Sequence, residues 1–256
     1  MSNAKRNMML VLKLFLVLLF TGLFITILIS AKTNIEDVVC TDIDVQINEK
    51  NGVHFLTKKE IVDYINNNGA SMVINKKIKD IDKATIEKRI ESNKYVSSAE
   101  VFSNFEGRLR VKVNQRTPFY RVFNNEGVSY YVDVNNKRIP LSANFTPRLI
   151  VATGYLTNSS LPSDTINKRL NEIISFINKD EFLEAMIGQI DVTKSGDFVL
   201  YPKIAEHYVI FGSTSNMEDK FKRLKIFYKK ALKFVNWKQY ESINLKYKNQ
   251  IICTKK

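Results

Sequence analysis

Leu109-Arg110-Val111-Lys112-Val113-Asn114-Gln115-Arg116-Thr117-Pro118 is the stretch on which the fold turns. Leu109, Val111 and Val113 alternate with Arg110, Lys112 and Asn114, and Arg108 precedes them. A period of two predicts a strand with one apolar face and one wet, basic face. The next four residues break the pattern. Proline cannot donate to a central ladder, so a domain boundary is expected near residue 116.

On the N-terminal side the elements come in a short series. Ile43, Val45 and Ile47 alternate with polar residues and predict a strand, followed by a turn at Asn51-Gly52. Thr57-Lys58-Lys59-Glu60 is a capping box: a hydroxyl for the N3 amide and a carboxylate reaching back. It opens a helix that carries Ile61, Tyr64 and Ile65 on one face, and Asn68-Gly69 stops it. A second helix starts at Asp82 with Ile86 and Ile90 four apart. Residues 96–102 read as a strand and Phe105-Glu106-Gly107 as a turn. Strand, helix, helix, strand, strand over residues 42–115 predicts two helices covering one face of a three-stranded sheet.

On the C-terminal side, residues 116–256 predict a mixed, mostly antiparallel sheet domain with two helices. Strands are expected over 119–123, 129–134, 137–141, 149–153, 186–192, 197–202, 207–211, 242–248 and 251–254. Asn135-Asn136 suits a two-residue hairpin turn. Ile166, Leu170, Ile173, Ile174 and Ile177 make one stripe of a helix over 165–177. A longer helix over 215–235 buries Leu224, Tyr228, Ala231, Leu232 and Val235. Its outer face carries Lys222, Lys225, Lys229 and Lys233. The basic run from Lys220 to Lys233 suits a solvated face, an anionic lipid or an acidic partner.

Further toward the N-terminus, residues 8–31 are apolar apart from Lys13 and small polar residues. Residues 14–31 would make ~27 Å of helix, about the thickness of a bilayer's hydrocarbon core. Lys5, Arg6 and Lys13 flank the N-terminal end, which predicts a cytoplasmic tail over 1–7 and an extracytoplasmic remainder behind a linker over 32–41. The rival is a cleaved signal peptide. The run is long for one, and Leu28 or Ile29 at the minus-three position is too large for cleavage.

Chemistry is sparse. The net charge of +13 fits anionic lipid, a polyanionic wall polymer or a lysine-rich surface, and a translocated domain has no call on nucleic acid. Cys40 and Cys253 sit beside apolar, strand-like sequence, where cysteine acts as a small hydrophobe, and both are expected to be reduced. His54 and His207 have no Cys or carboxylate at metal-ligand spacing. There is no Gly-rich phosphate loop and no nucleophile elbow. Asp133-Val134-Asn135-Asn136 faintly resembles a calcium loop but lacks its glycine and terminal glutamate. Asp191 and Asp197 flank a Ser-Gly turn, where aspartate is an ordinary turn residue. No catalytic, cofactor or metal site is expected. The last segment offers a different possibility. A terminal strand at a sheet edge recruits another chain unless it is blocked, and no proline guards this one. An ordinary closing strand covered by its own domain is the alternative.

The whole arrangement resembles the bacterial cell-division family FtsQ/DivIB, and its first module resembles a POTRA domain. The residues that carry the resemblance are the 109–118 stretch with its Arg-x-Pro junction, Tyr130-Tyr131-Val132-Asp133, and Ile243-Asn244-Leu245-Lys246-Tyr247. Lys246 stands where the family has Arg, and Asn244 where it often has Asp. The lysine- and asparagine-rich composition is similar to a Bacteroidota version. The resemblance implies a non-enzymatic, single-pass inner-membrane scaffold of the septum, with its C-terminus periplasmic. It implies binding to FtsB (DivIC) and FtsL, control of septal peptidoglycan synthesis, and further division proteins as partners of the POTRA-like module. Carried over residue by residue, it puts Lys246, Tyr247, Ile251, Ile252 and Cys253 at a strand-adding partner interface. A POTRA-bearing assembly or secretion factor is the alternative, although such factors carry several modules or a barrel that this chain lacks.

Overall fold

The computed structural model describes residues 12–27, 38–104, 106–156, 163–231 and 237–256. Residues 12–27 form helix α1, exposed along its whole length. The Thr21 and Thr26 hydroxyls donate to the Leu18 and Leu23 carbonyls. Among the described residues, no helix is long and apolar enough to cross a membrane. The rest of the span expected over 8–31, the tail over 1–7 and most of the linker over 32–41 lie outside the described residues.

The described chain divides into two compact units. The first contains β1 (Asp42–Asn48), α2 (Lys58–Ile65), α3 (Lys83–Glu91), β2 (Val96–Ser103) and β3 (Arg108–Gln115). Its sheet order is β1-β3-β2, so the 109–118 strand is the central one, parallel to β1 and antiparallel to β2. Val45, Val111 and Val101 lie in one cross-strand row and are all buried. On the other face Arg108 pairs with Asp42 and Arg110 lies 3.8 Å from Asp44, so acids of β1 neutralise the basic side. The capping box forms in both directions: Thr57 Oγ1 accepts from the Glu60 amide, and Glu60 accepts from the Thr57 amide. It starts α2 so that Ile61 and Ile65 are fully buried. Arg89 donates to the Tyr64 and Ile65 carbonyls in the last turn of α2.

The second unit is built on a nine-stranded sheet, ordered β12-β11-β10-β9-β8-β7-β4-β5-β6. The strands are β4 (Pro118–Asn124), β5 (Ser129–Asp133), β6 (Arg138–Ile139), β7 (Val151–Gly154), β8 (Ile187–Val192), β9 (Phe198–Pro202), β10 (Tyr208–Gly212), β11 (Tyr240–Asn244) and β12 (Ile252–Lys255). Three pairings are parallel (β4 with β7, β7 with β8, β10 with β11) and the rest antiparallel. Pro118 heads β4, an interior strand, where it interrupts no ladder further along.

Helix α4 (Ser163–Asn178) buries Ile166, Leu170, Ile173, Ile174 and Ile177 completely, as its stripe predicts. They share a core with Ile190, Phe198, Leu200, Val209, Phe211, Phe221 and Leu224. Phe176 stacks on Phe221 at 5.0 Å between ring centres. Two helices were expected and, among the described residues, three α-helices are found. Asp180 accepts from the Phe182 and Leu183 amides and so nucleates α5 (Glu181–Met186), a short helix ahead of β8. The last helix, α6 (Met217–Ile226), runs into a π-helical turn over Phe227–Ala231. The last part of the expected 215–235 helix, residues 232–235, lies outside the described residues.

Lys50–Phe55 follows β1 in sequence but clusters with the second unit. Phe55 is buried, lies 6.0 Å from the Tyr131 ring and 5.6 Å from that of Phe145, and its carbonyl accepts from Asn144. Aromatic burial of this size outweighs sequence proximity.

Replacing Thr57 by Ala removes the N-cap and should destabilise the first unit by about 1 kcal/mol. Amide exchange across α2 during urea denaturation of the full chain should show the loss, with the second unit's amides unchanged.

Candidate functional site

The C-terminal end of the large sheet combines a rigid base with an open border. β11 is held on one side by β10 and on the other by β12, and Ile243 and Leu245 are fully buried. β12 pairs Ile252 with Asn244, Cys253 with Ile243 and Thr254 with Ser242. Its other long side carries no strand among the described residues. An unpaired edge of this kind presents backbone donors and acceptors to another chain.

The edge at β2 of the small sheet is treated differently. Glu91 and Glu87 of α3 accept from the Ala99 and Val101 amides of β2, which closes that border with carboxylates.

The five expected interface residues fall into two environments. Ile252 and Cys253 stand on β12, with Ile252 43% exposed and Cys253 leaning on the core. Burial pushes the Cys253 thiol up from its ordinary value, and both cysteines are free. Ile251 precedes the strand and packs against the core. Lys246 and Tyr247 were expected within a strand over 242–248. That strand ends at Asn244, and both residues stand in the connection between β11 and β12. The Asn244 side chain accepts from the Lys246 amide and turns the chain out of the ladder. Tyr247 is 50% exposed.

Lys246 Nζ donates to Asp197 at 2.9 Å, and this bond holds the ammonium above the ordinary lysine value. The stem of Lys246 runs over Gly212, where a Cβ would come within 2.9 Å of Lys246 Cγ. Gly212 also has a φ of +76°, so two constraints select glycine there.

Sequence reasoning passed over Arg223. Its Nε donates to Asp219 at 2.8 Å, one helical turn back. Its terminal nitrogens donate to the carbonyls of Leu245, Tyr247 and Gln250, all in the β11–β12 connection. An arginine on the outer side of a lysine-rich helix reads as one more solvated charge, and its three acceptors are backbone atoms that no pattern reveals. At the far end of β12, Lys256 pairs with Glu206 and its amide donates to the Gln239 carbonyl. The Lys256 ammonium holds the Glu206 carboxyl below its ordinary value.

Beneath the strand, the π-helical turn directs Tyr228 toward His207, whose Nε2 lies 2.5 Å from the Tyr228 hydroxyl. Both side chains are buried, and burial raises the Tyr228 phenol. His54 packs edge-on against Phe145. Asp133 accepts from the Asn135 and Lys137 amides and pairs with Arg116, which makes it a hairpin-turn residue. Asp191 accepts from the Thr153 hydroxyl. Among the described residues, no group of three His, Cys, Asp or Glu side chains could hold a metal ion.

Because Lys246 is raised in the folded state, its pair with Asp197 contributes fully below the ordinary lysine value of 10.5. That contribution is lost as pH rises through the higher folded value. The pair is solvent-exposed, so Lys246→Met should cost less than about 1 kcal/mol at neutral pH. Unfolding midpoints across pH 7–12 should show the variant and the parent converging at the alkaline end.

The family described as "FtsQ/DivIB, C-terminal related" matches residues 117–254, and the POTRA-like domain family matches residues 38–114. The two matches are consecutive and together run from residue 38 to residue 254. Curated proteins yield no match. Both families are in general non-catalytic scaffold domains. With its large sheet and terminal edge strand matched over more than half its length, the chain belongs to the FtsQ/DivIB family of divisome-associated proteins.

Proposed function

We propose that this chain is a membrane-anchored, non-enzymatic scaffold of the divisome. It binds an FtsB (DivIC)- and FtsL-type partner by adding that partner's strand to β12, and thereby controls septal peptidoglycan synthesis. The observation that carries the reading is the free border of β12 at the end of a nine-stranded sheet. Backbone hydrogen bonds to the added strand give affinity, and neighbouring side chains give specificity. Ile252 and Tyr247 supply exposed apolar and aromatic area, Ile251 and Cys253 support the strand from the core side, and Lys246, bonded to Asp197, offers a cation that a partner carboxylate would share.

The anchor in this reading is residues 8–31. Its support is the apolar composition and the exposure of α1 on every side, which suits a lipid surrounding better than water. Lys5, Arg6 and Lys13 would hold the N-terminus in the cytoplasm and leave both units in the periplasm. The POTRA-like unit is then free to meet a further division protein.

Proline at Ile251 or Ile252 should abolish co-purification with the host's own FtsB/DivIC-type protein while leaving amide exchange in the first unit unchanged. Binding that survives both prolines refutes strand addition. Depletion in the native host, imaged with a fluorescent fusion, should give midcell signal and long unseptated filaments. Normal division with uniform envelope signal would remove the divisome role.

A further inference from the structure

β12 is held to its own sheet by one short ladder. It covers four residues, and its register breaks between Tyr240 and Ser242. A strand held so lightly frays, and a frayed edge loses the order that makes it a template. The connection that delivers it, from Leu245 to Ile251, has little regular structure, and Asn249 adopts a left-handed φ of +58°.

We infer that Arg223 is the positioning residue that keeps β12 ordered for recognition. Its guanidinium reaches from α6 into the concave side of the connection and donates to Leu245, Tyr247 and Gln250. These acceptors lie before, within and after the turn, so one rigid planar group fixes the path of the whole connection. Asp219 accepts from Nε and sets the plane of the fork. The side chain is 15% exposed, so these bonds are partly shielded from water. Beside it, Phe221 and Leu224 fasten α6 to the core, which gives the clamp a rigid mount. Lysine cannot substitute, because a single ammonium on a flexible stem cannot reach three divergent carbonyls.

The inference rests on the strand-addition reading for its functional half, and the test separates the two. Hydrogen exchange would be followed residue by residue in the full chain in detergent, for the parent, Arg223→Lys and Asp219→Asn. Arg223→Lys should speed exchange of the β12 amides about tenfold or more, since bonds from a charged donor are lost. The amides of β8 and β9, and the global unfolding midpoint, should hardly move. Asp219→Asn, which leaves the three carbonyl bonds in place, should stay within about threefold of the parent. Affinity for the host's FtsB/DivIC-type protein should fall in step with β12 order in Arg223→Lys.

Unchanged β12 exchange in Arg223→Lys overturns the inference. Faster exchange throughout the second unit also overturns it, since Arg223 would then be an ordinary stabilising residue. Faster β12 exchange with unaltered affinity overturns the link to recognition. Failure of the parent itself to bind refutes strand addition, and the exchange data still decide the clamp.

Discussion

Backbone amides and carbonyls at the border of a sheet must find partners, and the C-terminal half of this protein is organised around that requirement. The large sheet ends in β6, two residues long, and in β12, which is longer and unguarded by proline. The turn carbonyls ahead of β12 are met by Arg223. The outer border of β12 carries no strand among the described residues. In the small sheet, Glu87 and Glu91 fill the equivalent need at β2. One protein thus contains a border met by its own carboxylates and, among the described residues, a border that no strand covers, and the strand-addition proposal rests on that contrast.

The open border depends on a firm foundation. α6 has two tasks on two faces. Phe221 and Leu224 enter the core, where Phe221 lies between Phe176 and Phe211, while Arg223 faces the β11–β12 connection. The π-helical turn then changes the helical phase, so that Tyr228 meets His207 under the end of the sheet. Lys225 pairs with Asp180 at the cap of α5, which joins two of the helices. A lysine-rich helix that looks like solvated surface in the sequence carries much of the fastening.

Local rules were legible and distant ones were not. The Thr57–Glu60 box, the alternation through Leu109, Val111 and Val113, and the stripe of four isoleucines and one leucine in α4 each act within a single element, and the structure contains them as read. The end of β11 was misjudged because Ile243-Asn244-Leu245-Lys246-Tyr247 keeps an alternating look, whereas the chain leaves the ladder through the Asn244 side chain and Arg223, more than twenty residues away. α5 escaped because its cap, Asp180, follows immediately on α4. The interface residues were named from a terminal strand and a family likeness. Their surroundings (Asp197, Gly212, Arg223) come from three other elements, which no window of sequence joins.

Phe55 has a consequence for biosynthesis. The residue is made early, before the strands β2 and β3 of the small sheet, yet its aromatic neighbours Tyr131 and Phe145 are made some 75 to 90 residues later. During synthesis the ring is therefore made well before either of its aromatic neighbours exists. Shortening the protein to start at Arg116 removes that ring permanently and leaves an aromatic vacancy beside Tyr131. The order in which the chain emerges is thus part of how the second unit is completed.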